Sequence, residues 1–289
     1  MTARVWLAFI AICFIWGTPY FFIKHAIHEL SPVWVAWGRL VCACLVLVPV
    51  ALWRGQLHGM VKHWRIIIVF ALVELVGPFF LIAQGERWIT SSLAGILLAG
   101  VPLIVVLVSP FMGIHERVST RRIVGLATGL VGVVALLGLD TLDGAHGWIG
   151  AGCILLAAVG YAIGPLIVQR HLAGVDSFGL VAASVAVGAT VLTIPALFTA
   201  PATYPSAVAI GSVAILGLMC TALALLLFVY VISHAGAARA AVVTYVNPAV
   251  ALVLGVFLLD EHFGVGPAVG LVLILLGSWL ATGGSKSSH

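Results

Sequence analysis

The chain is a succession of apolar runs, each about 20 residues long, parted by connectors as short as ERWITS (86–91) and HERVST (115–120). A helix of about 20 apolar residues spans the hydrocarbon layer of a bilayer, where the backbone must satisfy its own hydrogen bonds. Such a chain can form little other than a bundle of membrane-spanning helices. Composition closes off the alternative. It is 63% hydrophobic and 8% charged, against about 25% charged in soluble domains, so its polar side chains cannot cover a globule. Cutting at charges and turn residues predicts ten spans, at about 5–24, 33–52, 65–85, 91–113, 119–139, 147–169, 177–199, 207–232, 240–259 and 265–283. The connectors leave no room for a soluble domain, so residues 1–289 are expected to form one all-α polytopic membrane domain.

Lys and Arg in short connectors stay on the cytoplasmic side, and that bias orients the spans. With the N-terminus inside, the inner side holds Arg4, Arg54, Lys62, Arg65, Arg117, Arg121, Arg122, Arg170, Arg239 and Lys286. The outer side holds Lys24 and Arg87, and Arg39 lies within the second span. Both termini are therefore expected in the cytoplasm, with the chain in the inner (plasma) membrane. The acids Glu29, Glu86, Asp140, Asp143, Asp260 and Glu261 fall outside. The basic residues stand singly rather than in a patch, so the net charge of +4 is a topology signal and argues against a nucleic-acid partner. The run after Arg4 has the outline of a signal peptide. It carries an internal Trp16-Gly17-Thr18-Pro19 and lacks a small-x-small cleavage site, so it is expected to be a retained first span.

Two stretches share one plan: VPLIVVLVSPFMGIHE (101–116) and NPAVALVLGVFLLDE (247–261) each run from a proline through apolar residues to a glutamate. A shift of 145 or 146 residues aligns Ala94 with Ala240, Pro102 with Pro248, Glu116 with Glu261, Gly125 with Gly270 and Gly132 with Gly277. The two copies are expected at 1–143 and 144–289. Five spans per copy is an odd number, so the second copy crosses in the opposite sense. Inverted repeats are the architecture of many secondary transporters, whose site lies near the midplane between halves that rock.

The doubled pattern of small-residue helix start, Pro, apolar run, Glu and G-x6-G resembles the drug/metabolite transporter superfamily, and more narrowly the EamA-type exporters. WGTPYFFIK (16–24) and Arg39, shortly after Ser31-Pro32, fit that resemblance. Ile114-His115-Glu116 and Leu259-Asp260-Glu261 depart from the leucine-glycine-glutamate usual there. The resemblance implies a ten-helix secondary transporter that exports a small metabolite, amino acid or related amphipathic compound. An uptake or facilitative carrier on the same fold is the alternative.

Charges at membrane depth are costly and usually face a cavity. Glu74, about ten residues into the third span with Pro78 a turn later, is the candidate for proton coupling and substrate contact. Arg39 reads as structural, and an ion pair between the two is the bland alternative. Trp16 and Tyr20 lie one turn apart, around the Thr18-Pro19 break, and Trp16 matches Tyr161 across the repeat, so these two are expected to face each other. Tyr230, which matches Gln84, joins Tyr245 and Asn247 as further pocket candidates, since aromatic faces with a few polar groups suit a small organic substrate. Trp53, Trp64, Trp88, Trp148 and Trp279 read instead as interfacial belts. Pro102 and Pro248 interrupt their spans and free a carbonyl. Glu116 and Glu261 are expected to be structural, each favouring the N-terminus of the following helix or pairing with a basic neighbour.

The spacings Gly125/Gly129, Gly160/Gly164 and Gly266/Gly270 allow close helix approach, within the chain or across a homodimer seam. Cys13, Cys42, Cys44, Cys153 and Cys220 all sit in apolar runs and read as reduced core residues. H-E-x-x-H and G-x-x-x-x-G-K-[ST] are absent, so neither a metal nor a nucleotide cofactor is expected. Asp140, Asp143 and His146 are the nearest approach to an enzyme-like cluster. The expected partners are a small-molecule substrate, the lipid bilayer and protons.

Overall fold

The structure is a computed structural model and describes residues 2–113, 119–138, 144–235, 243–262 and 264–282. Glu116, Asp140 and Asp143 lie outside the described residues, as does the side chain of Tyr245. The helical stretches, in chain order, are α1 (Ala3–Ala26), α2 (Pro32–Trp53), α3 (His58–Gly85), α4 (Ser91–Val108) and α5 (Thr120–Gly138). They continue with α6 (Gly144–His171), α7 (Ser177–Phe198), α8 (Ala207–Ile232), α9 (Val243–Leu258) and α10 (Val265–Thr282). Among the described residues seven helices, α1 to α4 and α6 to α8, are long and apolar enough to cross a membrane. Large apolar side chains such as Leu7, Phe14, Leu45 and Phe257 project outward, as a lipid-facing surface requires. Trp53, Trp64, Trp148 and Trp279 are likewise exposed near helix ends, where amphipathic rings suit an interface.

Helix starts follow from local chemistry. The side chains of Ser31, Thr90, Asp176 and Ser206 accept the N–H three residues on, satisfying donors that a first turn leaves open. The sequence suggests a run over 91–113, but α4 ends at Val108. Pro110 has no N–H to give the Val106 carbonyl, and the Ser109 hydroxyl donates to it instead at 3.3 Å.

Interior breaks punctuate several of the helices. Pro19 leaves the Ile15 carbonyl without its helical donor, and the Thr18 hydroxyl takes it at 2.8 Å. The α4 line breaks before Pro102, and Ser278 of α10 donates to the nearby Ala99 carbonyl at 3.2 Å. Within α3, Ala71–Val76 is a π-helical turn, and Leu218–Leu223 forms another within α8.

Small residues set the closest approaches. A Cβ on Gly277 of α10 would come 2.6 Å from the Gly125 carbonyl of α5, and one on Gly132 would come 2.8 Å from the Ile274 nitrogen. A Cβ on Gly160 of α6 would meet the Val73 carbonyl of α3 at 2.5 Å. These glycine faces are thus spent inside the chain. An apolar core of Ile23, Ile96, Leu97 and Ile154 fills one end of the bundle, and Leu40, Leu47, Val185 and Leu192 join α2 to α7.

Candidate functional site

Two polar residues meet at the π turn of α8. The Arg39 Nε donates to Thr221 Oγ1 at 2.8 Å, and the Thr221 hydroxyl donates to the Leu216 carbonyl at 2.9 Å. That carbonyl lies five residues back, so the π turn and the threonine together position the acceptor for the arginine. The guanidinium also stacks over Phe79 of α3, 3.7 Å from the ring centroid, where cation–π attraction replaces part of its lost hydration. Arg39 is 6% exposed. It is engaged by Thr221 and Phe79, and the anticipated ion pair with Glu74 does not form.

Glu74 occupies the other π turn. Its Oε2 is buried and has no hydrogen-bond partner. Gly164 of α6 makes the space, since a Cβ there would lie 2.7 Å from the Glu74 carboxyl carbon. Tyr161, one turn earlier on α6, lies within electrostatic reach of both Glu74 and Arg39, and Tyr20 within reach of Tyr161 and Arg39. Tyr20 rests on α4, where a Cβ on Gly95 would be 3.5 Å from its ring. Four of the residues singled out from sequence, Arg39, Glu74, Tyr20 and Tyr161, therefore assemble in one region. Nothing in the spacing marks Thr221 and Phe79 as partners, since neither is conspicuous within an apolar run.

The remaining candidates lie elsewhere. Trp16 does not pair with Tyr161. It stacks on Phe228 of α8 at 4.8 Å between centroids and packs with Ile12 and Cys13. Gln84 stands ten residues after Glu74, about 15 Å along the helix at 1.5 Å per residue. Asn247 joins α9 to α1, its amide nitrogen donating to the carbonyls of Cys13 at 3.3 Å and Val243 at 2.9 Å, and Pro248 is buried beside it. Tyr230 lines a cavity of about 420 Å³ with Arg54, Gln56, Asp176 and Phe178, at the end of the bundle opposite Glu261. There Gln56 donates to Asp176 at 3.2 Å.

Glu261 serves a helix other than the following one. Its two oxygens accept the backbone N–H groups of Ser91 at 2.7 Å and Ser92 at 2.9 Å, and both hydroxyls as well. It thus clamps the positive N-terminal end of α4. Glu29 does the same for Ser206 at the start of α8, and those bonds hold the exposed Glu29 carboxyl below the usual carboxylate range. Lys24 of α1 ties the α3–α4 connector by donating to the carbonyls of Glu86 at 2.7 Å and Ile89 at 3.0 Å.

A buried arginine and a buried carboxyl with an unpartnered oxygen thus lie together, the carboxyl on a π turn of its helix. The EamA-like transporter family matches residues 4–138 and again residues 148–283. The chain belongs to that family. This EamA-like protein is a multi-pass membrane transporter. It is 24% identical to the "Uncharacterized transporter YoaV" of Bacillus subtilis, over 96% of this chain and 97% of that one. It is 28% identical to the "Uncharacterized inner membrane transporter YedA" of Escherichia coli K12, over 94% and 91% respectively. A solved crystal structure matches with a TM-score of 0.68 and 21% identity, covering 98% of this chain and 97% of that chain, a likeness of fold.

Proposed function

We propose that the chain is a secondary transporter that exports a small metabolite, amino acid or related amphipathic compound across the inner membrane in exchange for protons. In this reading all of α1 to α10 cross the membrane as two inverted five-helix repeats, with both termini cytoplasmic. The family match in two blocks, 4–138 and 148–283, supports the duplication, as do the paired π turns at Ala71–Val76 and Leu218–Leu223. The observation that carries the chemistry is Glu74, whose Oε2 is buried without a partner. An isolated ionised carboxylate is far costlier in a low-dielectric interior than in water. Glu74 therefore carries a proton while the site is sealed and surrenders it when water or substrate reaches it. Arg39 and the two tyrosines supply the fixed polar contacts, and the cavity by Tyr230 is the approach from the cytoplasm.

Metabolite profiling of the medium of cells with and without the protein identifies the substrate. Proteoliposome counterflow of that compound then tests the coupling. We expect Glu74→Gln to lose acceleration by an imposed pH gradient while retaining exchange at equal pH. A variant that keeps the full gradient response overturns the proton role.

A further inference from the structure

Glu86, the residue after α3, sits in a connector and yet is 0% exposed, and neither of its carboxyl oxygens has a hydrogen-bond partner. Its surroundings explain why no neighbour neutralises it. Lys24 of α1 is close, but its ammonium is spent on the backbone carbonyls of Glu86 and Ile89. Glu261, from the turn after α9, is a second carboxylate in electrostatic reach and is filled by Ser91 and Ser92. Tyr20 of α1 is also within electrostatic reach of it. On the flanking residues, Arg87 lies over the Trp88 ring at 5.8 Å, and His146 of α6 meets that ring at 6.1 Å. Only a proton fits such a group without rearrangement.

We propose that Glu86 is a proton-binding site that seals the outer end of the bundle, distinct from Glu74. With its proton on, Glu86 lies neutral beneath the Lys24 and Glu261 clamps. With its proton lost, a second buried negative charge faces Glu261, and relief requires the α3–α4 connector to lift into water. Burial pushes the Glu86 carboxyl well above the usual carboxylate range, against the pull of Lys24 and with the push of Glu261. The sealed state therefore binds the proton more tightly than the opened, hydrated one. Sealing is fully favoured at low external pH and is lost as pH rises through the raised value. The assignment of this end as outer rests on the topology proposed above.

The test needs no substrate. In a cysteine-free background, the Leu93→Cys variant reports the mouth, since Leu93, in the first turn of α4 after the connector, is 4% exposed. The Tyr204→Cys variant, at a residue 97% exposed on the same side, corrects for the reactivity of the thiol at each pH. Right-side-out vesicles are labelled with a membrane-impermeant maleimide. We expect the Leu93→Cys to Tyr204→Cys labelling ratio to rise with pH, by up to about tenfold per unit for one proton. Adding Glu86→Gln makes the ratio low and flat, and Glu86→Asp restores the slope. An unchanged slope in Glu86→Gln, or a flat ratio with Glu86 intact, overturns the proposal. Labelling of Tyr204→Cys only from the opposite face overturns it too, by reversing the topology. Glu74→Gln keeps the slope, so a failure of gradient coupling at Glu74 and a failure of this gate read out separately.

Discussion

The two π turns occupy corresponding places in the two halves, yet they hold opposite chemistries. In α3 the turn carries Glu74, an acid with an unpartnered oxygen, against the bare backbone of Gly164 in α6. In α8 it carries Thr221, whose hydroxyl is fully used between Arg39 and Leu216, next to Cys220, which meets Thr18 of α1 at 3.4 Å. Thr18 and Gly164 each precede a proline, Pro19 and Pro165. The two turns share a geometry, but one holds a titratable group with room around it and the other a fixed clamp.

The largest effect should come from filling the space on the acidic side. Gly164→Ala puts a methyl where the Glu74 carboxyl lies, and overpacking of that kind costs about 3 kcal/mol. Thermal unfolding in detergent should show most of that cost recovered when Glu74→Ala is added. An equal cost in both backgrounds would mean that Gly164 serves the helix contact rather than the acid. On the clamped side, Thr221→Val leaves the buried Arg39 Nε without its acceptor, for about 2 kcal/mol. Thr221→Ser should restore it, and failure to do so would assign the effect to methyl packing. The smallest change is Thr18→Val, which loses a hydroxyl bonded to the Ile15 carbonyl and a weak contact to sulfur, below about 1 kcal/mol. A cost as large as that of Thr221→Val would make the two sides equals and erase the contrast.

Much of this was legible in the sequence, and for definite reasons. The apolar runs predict the helices because length and hydrophobicity alone decide what spans a bilayer. Arg39 and Glu74 were findable because a charge within such a run is conspicuous, and Pro19 and Pro102 mark breaks because they lack an N–H. The π turn of α3 had a faint sign in Pro78, which denies a donor to the Glu74 carbonyl. Its counterpart at Leu218–Leu223 has no proline, and a slip in hydrogen-bond phase leaves no trace in composition. Glu86 reads as an ordinary connector acid, because burial of a turn is decided by what folds over it. The target of Glu261 was hidden likewise. Sequence offers the next helix, whereas the fold delivers the start of α4.

That last contact has a consequence for how the chain is made. The amides of Ser91 and Ser92 find their acceptor 170 and 169 positions later. As synthesis proceeds, α4 enters the bilayer with its first donors open and stays so until nearly the whole chain has emerged. The first half cannot finish its own surface. A ribosome stalled before residue 261 leaves α4 with its Thr90 cap but with the Ser91 and Ser92 amides still waiting for their carboxylate.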